Sequence, residues 1–141
     1  MKNIKTDILN DKLFKSRDFK EFIKNNEDHI RTDSFNHFLY DLILQSGLKN
    51  TEIFVRSGIG ESYGYQLLNG NRQPSRDKII QLAIGLKLSV EKTNQMLRLA
   101  EKGELYVKNK RDAVVMFSLI NNYDLIDTNV LLEEENCTLF E

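Results

Sequence analysis

The apolar residues of this chain recur at helical spacing along almost its whole length, and this spacing limits the possible folds. The clearest run occupies positions i, i+3, i+4, i+7 and i+8 of one stripe: Phe35, Phe38, Leu39, Leu42 and Ile43. No segment alternates apolar and polar residues for long enough to predict a strand, and a single proline leaves few interruptions. The sequence therefore predicts an all-α protein of about seven or eight short helices.

Composition favours a globular protein that stays in solution. Of the 141 residues, 40% are hydrophobic and 29% are charged, and the length favours one domain or one domain with a helical extension. The N-terminus lacks the apolar core of a signal peptide, and the longest apolar run, 113–120, is too short to span a bilayer. The single cysteine, Cys137, cannot form an intramolecular disulfide. We therefore expect a cytoplasmic protein without membrane contact.

Charge is distributed unevenly along the chain. Residues 72–111 contain ten basic and four acidic residues, whereas residues 112–141 contain seven acidic residues and no basic one. This pattern favours one surface for a polyanion and another for a different partner. The simpler alternative is that both segments form solvated helix faces.

Two short predicted helices, 51–57 and 61–69, flank the sequence Gly58-Ile59-Gly60, which is typical of a helix-turn-helix. Gly58 permits the positive φ that ends one helix and begins a sharp turn. Three apolar residues are placed to form the small core that determines the angle between the helices: Ile53, Ile59 and Leu67.

The second of these helices has two different faces when its residues are placed at 100° intervals. The arc predicted to be buried contains Tyr63, Gly64, Leu67 and Leu68. The opposite arc contains Glu61, Ser62, Tyr65, Gln66 and Asn69. The side chains of this second arc suit the edges of bases in a major groove. Glutamine can form two hydrogen bonds with adenine, serine can bond to several bases, and tyrosine can contact a thymine methyl group or a phosphate.

Residues 33–100 resemble the Cro and lambda-repressor type of helix-turn-helix, the XRE family. The matching residues are Ile53, Gly58, Ile59, Leu67 and Gly70, the loop Asn71-Arg72-Gln73-Pro74-Ser75, and the segments 79–83 and 86–89. The resemblance implies a five-helix domain whose recognition helix, about 61–69, enters the major groove of double-stranded DNA. It also implies a sequence-specific transcriptional regulator that binds a two-fold operator as a homodimer.

The resemblance assigns roles to seven positions. Thr51 would hold a phosphate through its hydroxyl and the free N–H groups at the start of its helix. Base reading would fall to Ser62, Tyr65 and Gln66. Contacts to the DNA backbone would fall to Asn69, Arg72 and Arg76.

The chain departs from the family pattern at two packed positions. Phe54 replaces a small alanine four residues before the turn glycine, and Gly64 replaces a branched apolar residue six after it. Either the two changes compensate, or the angle between the helices differs. The predicted reading face also carries Glu61, and electrostatic attraction would depend on four cations: Lys49, Arg72, Arg76 and Lys78.

We predict three segments: an N-terminal helical segment (1–32), the helix-turn-helix domain (33–103) and a C-terminal helical extension with an acidic tail (104–141). A short helix is expected in the first, with Phe19, Phe22 and Ile23 on one face after a Ser16 cap. The extension is expected to form a pair of helices at about 110–121 and 125–135. The apolar residues of this pair would extend the core, or form a dimer interface or a docking site for a partner protein.

Two function classes remain open. The first is the DNA-binding regulator. The alternative is a helical adapter, antitoxin-like or anti-activator, that keeps the fold and binds protein through its acidic C-terminal helices with little affinity for DNA. No nucleophile–base–acid set, phosphate-binding glycine loop or metal-ligand spacing occurs, so we expect neither an enzyme nor a cofactor or metal.

Overall fold

The computed structural model describes residues 6–15, 18–25 and 34–141, and each regular element in these ranges is an α-helix. The chain divides into two compact units, Met1–Asp33 and Ser34–Glu141. The first unit contains α1 (Thr6–Lys15) and α2 (Phe19–Asn25). The predicted helix around Phe19 is present as α2, whereas α1 was not predicted; the expected cap, Ser16, lies outside the described residues.

The second unit is built from seven helices. They are α3 (Phe35–Ser46), α4 (Asn50–Arg56), α5 (Glu61–Leu68), α6 (Arg76–Gly85), α7 (Val90–Leu99), α8 (Lys110–Ile120) and α9 (Leu125–Glu134). The predicted all-α class is therefore confirmed for the described part of the chain. Within it, no helix combines the length and apolar character needed to cross a membrane.

Four helices begin where a side chain supplies the missing hydrogen-bond acceptor. The cap side chain accepts from the backbone N–H three residues later, which satisfies a donor that the helix leaves free. The four caps are Ser75, Ser89, Asn109 and Asp124, at the starts of α6, α7, α8 and α9. Helix α3 follows Ser34, whose side chain makes no such bond. The sequence also offers Asp33 as a cap for this helix, but Asp33 lies outside the described residues.

One hydrophobic core runs through the second unit from α3 to the C-terminal end. Its fully buried members include Leu39, Ile53, Leu67, Ile80 and Leu97, and it continues through Val115 on α8 and Leu132 on α9. Helices α8 and α9 pack on each other and on α6. One face of the C-terminal pair thus extends the core, while Phe117, Ile120, Ile126 and Val130 stay exposed, so the interpretations as a dimer interface or docking site remain open.

Helices α4 and α6 approach closely where Gly85 meets Ser57. A Cβ atom added to Gly85 would lie 3.0 Å from the Ser57 backbone nitrogen and still closer to its hydroxyl, and Ser57 is fully buried. We expect Gly85→Ala to lower the free energy of unfolding by about 1–3 kcal/mol, because the helices must separate. Urea unfolding would measure this. Gly103→Ala is the control, since its Cβ would meet no atom within 4 Å; equal stability of the two variants would contradict the prediction.

Candidate nucleic-acid interface

A tight turn joins α4 to α5. Gly58 adopts a φ of +65°, and the backbone N–H of Ile59 donates to the carbonyl of Phe54 (2.9 Å), which closes the end of α4. Ile53 and Leu67 are fully buried and Ile59 nearly so, within one apolar cluster. The predicted small core is therefore present, and it holds the two helices against each other.

The two arcs predicted for α5 differ in burial as expected. Gly64 and Leu67 are buried, while Tyr63 and Leu68 are half-buried. On the opposite arc Glu61, Ser62, Tyr65 and Asn69 are exposed and Gln66 is half-buried. Three side chains that could read bases, Ser62, Tyr65 and Gln66, thus lie on one accessible face of a two-turn helix.

Arg72 is held against the C-terminal half of α5. Its Nη1 atom donates to Oε1 of Gln66 (3.1 Å), and its guanidinium lies 4.9 Å from the centre of the Tyr63 ring. Such cation–π contact restrains a side chain that is otherwise exposed. The structure therefore brings Gln66 and Arg72 together and adds Tyr63, which the sequence placed only on the buried arc.

Phe54 fills the space above Gly64. A Cβ atom on Gly64 would lie 2.6 Å from three atoms of the Phe54 ring, so a large side chain occupies the volume that a branched residue would need. Compensation, the first of the two alternatives for this pair, agrees with that contact. The same ring also meets Tyr65 edge to face, with centroids 5.2 Å apart and planes at 84°, a contact that sequence reasoning missed.

Thr51 is exposed in the first turn of α4, directly after Lys49 and Asn50. Lys49 is exposed as well. Lys78 is half-buried, and its Nζ atom donates to the backbone carbonyl of Glu141 (3.4 Å). Of the four cations predicted to attract phosphate, Arg72 and Lys49 therefore remain exposed beside α5 and α4, while Lys78 contacts the C-terminal end.

Arg76, the first residue of α6, joins that helix to α8. Its Nη1 and Nη2 atoms donate to the two carboxylate oxygens of Asp112 (3.0 and 2.9 Å). Its Nε and Nη2 atoms also donate to the carbonyls of Gly103 (3.0 Å) and Glu104 (3.1 Å). Four of its five N–H donors are thus used within the protein. The contact with DNA that the loop resemblance assigned to Arg76 stays a prediction, and the structure does not bring Arg76 together with Gln66 and Arg72.

The carboxylate of Asp112 is stabilised in its charged form. Burial raises its pKa. Hydrogen bonds from Arg76 and from the Tyr106 backbone N–H (3.0 Å), together with the charges of Arg76 and Arg111, lower the pKa by more than burial raises it. The net result is a pKa below the ordinary value of 3.8. The hydrogen bond to Asp112 correspondingly raises the pKa of Arg76. The pair is therefore ionised at neutral pH and acts as a clamp between the two helices.

The C-terminal part of the chain contacts the turn between α4 and α5. Nε2 of Gln81, a buried residue on α6, donates to the carbonyl of Ser57 (2.9 Å) and to that of Glu141 (2.9 Å). A Cβ atom on Gly58 would lie 2.6 Å from Cδ2 of Leu125 on α9. The segment predicted as an extension thus touches the same turn that joins α4 to α5.

No protein-family model, curated protein or solved structure matches this chain. Within the described ranges, no group of three or more His, Cys, Asp or Glu side chains is placed to hold a metal ion. The candidate interface is therefore defined by its own geometry: the exposed face of α5, the start of α4, and Arg72.

Proposed function

We propose that this protein is a sequence-specific DNA-binding transcriptional regulator of the XRE type, in which α5 enters the major groove. The observation that carries the proposal is the accessible face of α5 with Ser62, Tyr65 and Gln66, the last of which is hydrogen-bonded to the restrained cation of Arg72. A major groove about 12 Å wide accommodates one α-helix, and each base pair presents a distinct set of donors and acceptors there.

The side chains of α5 offer complementary chemistry. The Ser62 hydroxyl can donate or accept, and the Tyr65 ring can contact a thymine methyl group. Because Oε1 of Gln66 accepts from Arg72, its Nε2 group is left to donate to an acceptor such as guanine O6 or thymine O4. Glu61, at the start of the helix, can accept from cytosine N4.

Attraction to the DNA backbone would come from few groups. Arg72 and Asn69 follow α5, and Lys49 and Thr51 lie at the start of α4, where free backbone N–H groups also favour a phosphate. Since each neutralised phosphate steepens the dependence on salt, we expect affinity to fall less steeply with salt than for a strongly basic protein.

The larger unit supplies the remaining features of the proposal. Helices α3–α7 would be the five helices of the family domain, and α8 and α9 would form an extension packed on it. A homodimer would place two copies of α5 on a two-fold operator, one helical turn of DNA apart. A cytoplasmic location and the absence of catalysis belong to the same proposal.

Fluorescence anisotropy tests the proposal directly. The probe is a labelled duplex selected with this protein from a random DNA library, compared with a scrambled duplex at two salt concentrations. Wild type is expected to prefer the selected duplex by about a thousandfold, and salt should weaken both complexes. A wild-type protein that bound both duplexes equally would contradict the proposal.

A double variant tests the proposed reading face. Tyr65→Ala/Gln66→Ala is expected to lower the preference for the selected duplex by about a hundredfold, since each good base contact contributes about 1–3 kcal/mol. The matched control is Tyr40→Ala/Gln45→Ala, which removes an exposed tyrosine and an exposed glutamine from α3. Unchanged preference in the α5 variant, or equal losses in both, would show that α5 does not read DNA.

A protein-binding adapter is the second candidate function. It is favoured by four exposed apolar side chains on α8 and α9: Phe117, Ile120, Ile126 and Val130. In that case a stoichiometric protein would copurify with wild type and be lost from Ile126→Glu/Val130→Glu, while no DNA preference would be measured. A DNA preference of the expected size, unchanged in this variant, would argue against the adapter.

A further inference from the structure

We infer that Phe54 is a positioning residue for Tyr65: its ring, seated on Gly64, orients the Tyr65 phenol on the exposed face of α5. The inference concerns the geometry of the protein, and its consequence for sequence preference rests on the proposed DNA-binding function. Phe54 does not itself reach the exposed face, since it is 1% exposed.

Gly64 makes the contact possible. Three consecutive atoms of the Phe54 ring, Cδ1, Cε1 and Cζ, lie 2.6 Å from the place where a Cβ atom on residue 64 would stand. Any side chain there would displace the ring, whereas glycine lets the ring lie directly against the backbone of α5. The Phe54 ring therefore packs against α5 at Gly64, the residue next to Tyr65.

The geometry of the two rings is that of an attractive aromatic pair. Their centroids are 5.2 Å apart and their planes meet at 84°, within the range preferred for edge-to-face contact. Tyr65 remains 37% exposed, so one part of its ring is covered while another part reaches solvent. Because a tyrosine ring is directed by only two side-chain torsions, contact on one side restricts the orientations it can adopt.

A restricted tyrosine discriminates between bases better than a mobile one. A side chain that already has its bound orientation loses less conformational freedom on binding, and its contacts depend more sharply on the base it meets. Contacts to phosphate from Arg72 and Lys49 do not depend on this ring. Loss of Phe54 should therefore reduce preference among sequences and leave non-specific affinity unchanged.

The first test needs no DNA. NMR spectra of the full chain with ring-labelled tyrosine would be recorded for wild type and Phe54→Leu, with Tyr65→Phe identifying the Tyr65 signals. We expect the NOEs from the Tyr65 ring protons to neighbouring residues of α5 to change when Phe54 is replaced, while those of Tyr40, Tyr106 and Tyr123 stay the same; the Tyr65 chemical shift alone is no test, because loss of a ring 5.2 Å away moves it in any case. An unchanged set of Tyr65 NOEs in the folded variant would overturn the inference. If Phe54→Leu does not fold, we would measure Phe54→Leu/Gly64→Ala instead. The alanine methyl group refills part of the space that the Phe54 ring leaves.

The second test measures sequence preference. Phe54→Leu is expected to lower the ratio of affinities for selected and scrambled duplexes about tenfold, the size of one lost base contact. Tyr65→Leu should lower it equally, and the double variant should lower it no further, because the two residues act as one unit. Additive losses would overturn the inference.

A control separates positioning from general stability. Ile53→Val removes one methyl group from a fully buried neighbour of Phe54 on α4 and should lower the melting temperature without changing the affinity ratio. An equal change of ratio in this control would mean that any weakening of α4 has the same effect, and would overturn the inference. If wild type itself shows no sequence preference, the proposed function fails, while the NMR test still decides whether Phe54 orients Tyr65.

Discussion

Replacing Asp112 with alanine is expected to lower the free energy of unfolding by about 3 kcal/mol. The change leaves the Arg76 guanidinium without its carboxylate and the Tyr106 N–H without its acceptor. Loss of one partner of a buried ion pair costs about 3–5 kcal/mol, and the lower end applies because the Arg76 side chain is 31% exposed and water can reach part of it. Urea unfolding followed by circular dichroism would measure the difference.

An exposed ion pair supplies the control for this variant. Lys110 at the start of α8 is paired with Glu135, which follows α9, but their charged atoms are 3.8 Å apart and both side chains are exposed. Glu135→Ala is therefore expected to change the free energy of unfolding by less than about 1 kcal/mol. Similar losses in the two variants would contradict the role assigned to the Asp112 clamp.

The clamp also predicts a dependence on pH. The pKa of Asp112 is below 3.8 in the folded protein, so the folded state holds its proton less tightly than the unfolded chain does. Its contribution to stability is therefore fully present above about pH 4 and is lost as pH falls through the folded pKa. The difference in stability between wild type and Asp112→Asn should be constant near neutrality and shrink below about pH 4. A difference that stayed constant at low pH would contradict this assignment.

Local features of the fold were accessible from the sequence because they depend on neighbouring residues. Ser75, Ser89 and Asp124 cap helices through bonds to residues three positions ahead, and the φ of Gly58 is a property of one residue. The bond between Arg76 and Asp112 spans 36 positions, and no local pattern indicates it. The loop resemblance could assign Arg76 a contact with DNA, but it could not indicate the internal bonds that this side chain makes.

The candidate site divides in the same way. Helical periodicity separated the exposed arc of α5 from its buried arc, because both follow from 100° per residue. The position of Arg72 over Tyr63 depends on how the chain returns after Gly70, which periodicity does not describe. The sequence did indicate that Phe54 and Gly64 are unusual. Phe54 is larger than the alanine of the family pattern, and Gly64 is smaller than its branched apolar residue.

Replacing Phe54 with alanine is expected to lower the free energy of unfolding by about 3–5 kcal/mol, since it leaves a cavity in the core above Gly64. Gly64→Val alone is also expected to destabilise the protein, by about 1–3 kcal/mol, because its Cβ would lie 2.6 Å from the Phe54 ring. Urea unfolding of both variants would measure these losses. Gly60→Ala is the control, since a Cβ atom at Gly60 would meet no atom within 4 Å.

The two destabilising changes should largely cancel when they are combined. In Phe54→Ala/Gly64→Val the valine occupies the volume that the phenylalanine ring vacates. The larger side chain then comes from α5 and the smaller one from α4, the reverse of wild type. We expect the double variant to be more stable than Phe54→Ala, with a coupling of about 1–3 kcal/mol in the double-mutant cycle. Losses that simply add would mean that the two positions do not share one space.

The same exchange should separate stability from recognition. The double variant refills the core, yet Tyr65 loses the Phe54 ring, whose centroid lies 5.2 Å from its own in wild type. We therefore expect a stable protein that binds selected and scrambled duplexes with more nearly equal affinity, since valine at position 64 packs between the helices and offers Tyr65 no ring. Full recovery of sequence preference together with stability would show that Phe54 contributes only volume, and that Tyr65 is oriented by α5 alone.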